Sequence, residues 1–124
     1  MVQSVIRLLI TDDHEIVRHT LSAIVDSLDN IEVVGEAANG AEAIALCEQC
    51  QPDLVLMDLS MPIMDGVMAT RQICQRFPQI RVLILTSGID PDMIAAALNA
   101  GAQGYIEKRI GIDVLVKAIW TAVK

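Results

Sequence analysis

Five short apolar runs alternate with five segments of helical spacing, and that alternation limits the fold more than any single residue does. Residues 5–10 (Val-Ile-Arg-Leu-Leu-Ile), 31–34, 54–57 and 81–85 are brief and mostly apolar, with single charges at Arg7, Glu32 and Arg81, and a fifth, weaker run lies near 103–106. Between them the apolar residues recur at three and four places, as on one helix face. The first such face carries Ile16, Val17, Leu21, Ile24, Val25 and Leu28, and the second carries Ala43, Ile44 and Cys47. The third carries Val67, Ile73, Cys74 and Phe77, the fourth Ile94, Ala97 and Leu98, and the last Leu115, Ala118, Ile119 and Ala122. Asn39-Gly40, Gly66 and Asp90-Pro91 stand where helices should start, and Pro52, Pro78 and Gly101 where they should stop. Strands apolar on both faces and separated by helices predict an α/β fold, a doubly wound parallel sheet with helices on either side. Such sheets bind ligands outside the carboxyl ends of their strands.

A chain of 124 residues predicts one domain over residues 1–124, with no second domain. With 53% hydrophobic residues it can build a core, which excludes intrinsic disorder. The three aromatics, Phe77, Tyr105 and Trp120, make that core an aliphatic one. Nine Lys and Arg against 16 Asp and Glu leave net charge −7, so this domain should not itself bind nucleic acid. Arg7 and Asp12-Asp13 interrupt the first apolar stretch, so neither a signal peptide nor a membrane span is expected. An odd set of cysteines (Cys47, Cys50 and Cys74) at no disulfide-framework density suits the cytoplasm.

The polar residues at the strand ends carry the chemistry. Strand one runs into Thr11-Asp12-Asp13, strand three into Asp58, strand four into Thr86-Ser87, and the fifth region into Glu107-Lys108. Three carboxylates about 5 Å apart repel pairwise by about 3 kcal/mol at an effective dielectric near 20. Such a cluster takes up protons or binds a cation. Oxygen donors favour Mg²⁺ or Mn²⁺, whose remaining coordination sites can accept a phosphoryl oxygen. Lys108 would add a point charge and Thr86 a hydroxyl. This set suits phosphoryl transfer onto a carboxylate, with Asp58 the nucleophile.

Asp12-Asp13, the stretch from Asp58 through Met61-Pro62 to Asp65-Gly66, Leu85-Thr86-Ser87 and Gly104-Tyr105 through Lys108 together resemble the receiver domain of two-component response regulators, most closely the NarL/FixJ group with a LuxR-type output. The resemblance spans the chain. It implies a flavodoxin-like (βα)5 sheet of order 2-1-3-4-5. It implies that Asp58 accepts phosphate from a sensor histidine kinase, with Asp13, Asp58 and the Ser60 backbone carbonyl on Mg²⁺ and Asp12 in support. Thr86 and Tyr105 would form the switch that reshapes helix four, strand five and helix five, and Lys108 would pair with the phosphate. Phosphorylation would favour a homodimer, and DNA would be met only through an output domain absent from this chain. Such a domain is a signalling module rather than an enzyme, one that assists its own phosphorylation and dephosphorylation. The chain's end after the fifth helix, at Lys124, fits a lone receiver acting by protein contact as well as a piece of a longer transcription regulator.

Other readings are weaker. A haloacid-dehalogenase-like phosphatase needs a second acid two places after its nucleophile, where Ser60 stands. A flavodoxin-like cofactor site needs a loop that welcomes phosphate, and Asp12 to Glu15 would repel one. Cys47-Glu-Gln-Cys50 lacks a second Cys pair and lies at a helix end, which predicts neither zinc nor redox chemistry. His14 and His19 are expected at the surface of the first helix, and Asp65-Gly66 as a helix-start device. Trp120, at the margin of its apolar stripe, fits either half-buried packing or a dimer face.

Overall fold

The computed structural model describes residues 5–88 and 90–123; the sequence expectation attached to Lys124 lies outside them. Five parallel strands, β1 (Ile6–Thr11), β2 (Ile31–Ala37), β3 (Leu54–Met57), β4 (Arg81–Thr86) and β5 (Gly104–Glu107), form one sheet in the order β2-β1-β3-β4-β5. Five helices alternate with them: α1 (Glu15–Asp26), α2 (Gly40–Cys50), α3 (Gly66–Arg76), α4 (Pro91–Ala100) and α5 (Ile112–Ala122). The strand order reverses at β1, opening a crevice between the carboxyl ends of β1 and β3.

Successive strand residues feed opposite faces, as the pleat requires. Val55 and Met57 join Leu9, Val82 and Ile84 in the layer beneath α2, α3 and α4, with Ala43, Cys47, Ala69, Ile73 and Ala97. Leu54 and Leu56 join Leu8, Ile10 and Leu83 in the layer beneath α1 and α5, with Val25, Leu115 and Ile119. All four residues of β3 are fully buried. Each such Leu, Val or Met side chain contributes about 1.5–3 kcal/mol by leaving water. Trp120 is half-buried and packs on the second layer.

Three helix starts are capped by residues the sequence marked. Asn39 accepts from the Glu42 amide, Asp65 from the Met68 amide, and Asp90 from the Asp92 and Met93 amides, each satisfying orphan donors of a first turn. Pro52 stands beyond a left-handed Gln51 that ends α2. Gly101 ends α4 at φ 122°, where the Cys74 sulfur leaves no room for a Cβ.

Three features differ from the sequence expectations. β2 continues to Ala37 because the ladder absorbs one extra residue: Leu8 pairs with Val33, and Leu9 already with Gly35. The apolar face of α1 is only partly covered, with Val25 buried but Ile16, Val17 and Ile24 exposed. Leu98 of α4 is exposed as well. Periodicity fixes which residues share a helix face, whereas neighbouring elements decide how much of it is covered.

Candidate functional site

The β1/β3 crevice gathers the acidic residues through the backbone itself. The Asp58 amide donates to the Thr11 carbonyl (3.0 Å) and the Asp12 amide to the Ala37 carbonyl (3.0 Å), so both residues extend the sheet by one step. The Lys108 amide donates to the Thr86 carbonyl (2.8 Å), which brings the end of β5 to the same edge. Asp12, Asp58 and Thr86 are buried, and Asp13 is partly exposed beside them.

Lys108 joins the two buried carboxylates. Its Nζ lies 2.5 Å from Asp12 Oδ2 and 3.4 Å from Asp58 Oδ2. Burial opposes the Asp12 charge, but the Lys108 hydrogen bond, the His14 amide and the Lys108 charge outweigh it and hold the carboxyl below its ordinary value. Burial pushes the Asp58 carboxyl up to about 6; Lys108 opposes this, and the neighbouring Asp12 charge adds to it. The two acids are therefore held apart in protonation. Asp58 Oδ1 accepts from the Leu59 amide at 2.9 Å.

On the open side lies a cleft of about 230 Å³ lined by His14, Asp58, Ser60, Thr86, Gly88 and Met93, among others. The Thr86 hydroxyl donates to the Gly88 carbonyl (2.7 Å), so it faces the β4–α4 loop. Tyr105 is half-exposed on β5, and Ser60 is exposed two places after Asp58, with no acid in its position. The β3–α3 loop is held against this floor. The Gly66 amide donates to the Leu59 carbonyl (2.9 Å), and a Cβ on Gly66 would stand 2.1 Å from the Asp58 carbonyl oxygen. Asp65-Gly66 is thus both a helix start and a close contact with the backbone of Asp58.

The donor set fits a divalent cation. Asp13 Oδ1 is buried as an atom and accepts no hydrogen bond, an orphan that a cation would satisfy. Ligand atoms from Asp12, Asp13, His14 and Asp58 all lie within 4.8 Å of one another. Sequence reasoning missed two of the residues here. His14, expected at the surface, does have an exposed side chain, yet its Nδ1 lies 3.2 Å from Asp12 Oδ1 and 3.3 Å from Asp13 Oδ1. Arg18 donates to the Asp12 carbonyl (2.7 Å) and to Glu36 (3.2 Å), fixing the turn that carries the acids. The signal for His14 was its place directly after the acidic pair. Arg18, one turn of α1 further along, had no comparable signal.

Residues 8–120 match the family model described as the response regulator receiver domain. The chain is 47% identical over 111 residues to the uncharacterized transcriptional regulatory protein YhcZ of Bacillus subtilis, covering 90% of this chain and 52% of that protein. Among solved structures, a LuxR-family two-component response regulator from Aurantimonas sp. SI85-9A1 matches at TM-score 0.90 and 37% identity, covering 97% of this chain and 86% of that one. The signal receiver domain of the putative response regulator NarL from Mycobacterium tuberculosis matches at TM-score 0.91 and 30% identity, over 98% of both chains. The chain spans about half the length of the curated relatives it matches. With the acidic crevice, the five-stranded order and these matches in agreement, the chain belongs to the receiver domains of two-component response regulators.

Proposed function

We propose that Asp58 accepts a phosphoryl group from a phosphohistidine of a sensor kinase and that the acyl phosphate switches the β4–α4 and β5 surface. The observation that carries this reading is a carboxylate only 4% exposed that shares a lysine with a second buried acid, at the point where the strand order reverses. A carboxylate oxygen of Asp58 attacks phosphorus, the P–N bond breaks, and the imidazole of the donor leaves with a proton. Asp13 and Asp58 with the Ser60 carbonyl, supported by Asp12, would hold Mg²⁺, which supplies charge neutralisation for the phosphoryl oxygens. Lys108 stays within reach of the same oxygens. Thr86 then trades its Gly88 partner for a phosphoryl oxygen, and Tyr105 turns into the space this vacates. The same residues would assist phosphorylation and hydrolysis of their own aspartyl phosphate; the protein is a switch rather than a turnover enzyme.

The kinase meets a surface next to this pocket. A groove of about 280 Å³ lined by Ile16, Val17, Leu21 and Ile24 of α1 and by Leu115 also borders Lys108, so an apolar helix face seated there brings its histidine toward Asp58. Phosphorylation favours a homodimer and, in a longer regulator, DNA binding by an attached output domain. Three free cysteines and the lack, among the described residues, of any helix long and apolar enough to cross a membrane are in keeping with a cytoplasmic site of action.

Incubation with acetyl phosphate and Mg²⁺, followed by intact mass measurement, tests the assignment. One added phosphoryl group is expected on the wild type and none on Asp58→Asn. Equal labelling of the variant overturns the assignment.

A further inference from the structure

We propose that His14 is a ligand of the cation in this pocket and that its nitrogen shifts the site's preference from Mg²⁺ toward Mn²⁺ and Co²⁺. The inference rests on the reading that the acidic crevice holds a divalent cation, and adds to it the class of ion the crevice selects. His14 is the cap residue of α1, with extended backbone (φ −85°, ψ 103°), and its side chain makes no capping hydrogen bond to the helix. Instead the ring turns back over the acids. Its Nδ1 lies 3.2 Å from Asp12 Oδ1 and 3.3 Å from Asp13 Oδ1, the second of these being the buried oxygen that accepts no hydrogen bond.

These separations are those of neighbouring donors on one ion. Two ligands each about 2.1 Å from a six-coordinate cation and at right angles lie ~3.0 Å apart. An ion seated between Nδ1 and the Asp13 carboxylate therefore needs shifts of only a few tenths of an ångström in that pair, and a ligand atom of Asp58 lies within 4.8 Å of both. The chemistry of the donors then decides among ions. Carboxylate oxygens serve Mg²⁺ and Mn²⁺ alike, whereas an imidazole nitrogen suits the first-row transition ions and adds little for Mg²⁺. The His14 amide donates to Asp12 Oδ1 at 2.9 Å and so places the backbone from which the ring reaches the pocket.

The test compares the whole chain with His14→Ala and His14→Gln, using MnCl₂, CoCl₂ and MgCl₂ as probes. Bound Mn²⁺ is read from the loss of the free-ion electron paramagnetic resonance signal, and Mg²⁺ from its competition with Mn²⁺. The wild-type protein should show nitrogen hyperfine coupling to bound Mn²⁺, and both variants should lose it. The ratio of Mn²⁺ to Mg²⁺ affinity should fall about tenfold or more in the variants. The Co²⁺ visible bands should move with the loss of a nitrogen donor. Absence of nitrogen coupling in the wild type, or an unchanged affinity ratio in both variants, overturns the role of His14 while leaving the cation site intact. If the wild type binds neither ion, the reading of the crevice as a cation site fails with it.

Discussion

Asp58 shows what burial does to a single acid. Its carboxyl lies at about 6 in the folded chain against 3.8 unperturbed, so folding favours its protonated form. The stability it contributes is complete below about pH 4 and is lost as the pH rises through 6. At about 1.4 kcal/mol per pH unit the loss reaches about 3 kcal/mol by neutral pH without divalent ions. Asp12 has the opposite sign: its lowered value contributes stability above the ordinary carboxylate range, which is lost in acid. In EDTA, Asp58→Asn should therefore melt higher than the wild type at pH 7.5, and the two should converge near pH 4. Thermal unfolding across that range checks it. Gly66 is another residue with no latitude. Gly66→Ala puts a methyl 2.1 Å from the Asp58 carbonyl oxygen, a backbone atom that moves only with the loop. Overpacking of this kind costs about 1–3 kcal/mol, so a lower melting point and slower phosphorylation are expected together.

Among the elements, α1 separates what patterning reveals from what packing adds. Its apolar spacing announced a helix, and the helix is there, but Ile16 is 81% exposed and Val17 and Ile24 are exposed beside it. Ile16→Asp should slow transfer from a phosphorylated kinase about tenfold or more while scarcely moving the melting point, since surface substitutions cost within about 0.5 kcal/mol. Stopped-flow transfer and thermal unfolding read the two effects. The sheet was legible because the central strands β1, β3 and β4 are largely apolar on both faces, and Asp58 stood out as the polar residue directly after the fully apolar β3. Three details were not legible. The bulge between Leu8 and Leu9 depends on how two distant strands pair. The turn of the His14 ring over Asp12 and Asp13 is a rotamer set by tertiary neighbours, and so is the direction of the Thr86 hydroxyl toward Gly88.

For the whole molecule, folding brings the repulsion of the acidic crevice with it, and a cation held in the proposed site would offset that repulsion only in the folded state. Mg²⁺ should thus raise the melting point of the wild type at pH 7.5, by mass action on the folded chain. The shift should shrink as the pH falls below about 6 and be largely absent in Asp13→Asn; calorimetry with and without EDTA decides. A cation effect of equal size in Asp13→Asn would place the ion elsewhere.

The two sides of the sheet are built to different tolerances. On one side Gly40 meets Ala69 and Met64, and Gly101 meets Cys74, at separations that admit no added carbon, which locks α2, α3 and α4 into a slab. On the other side α1 and α5 leave a groove open beside Lys108. If the kinase docks in this groove as proposed, divergence between paralogues should concentrate on the open side, where exchanged residues would change which kinase is heard without disturbing the slab.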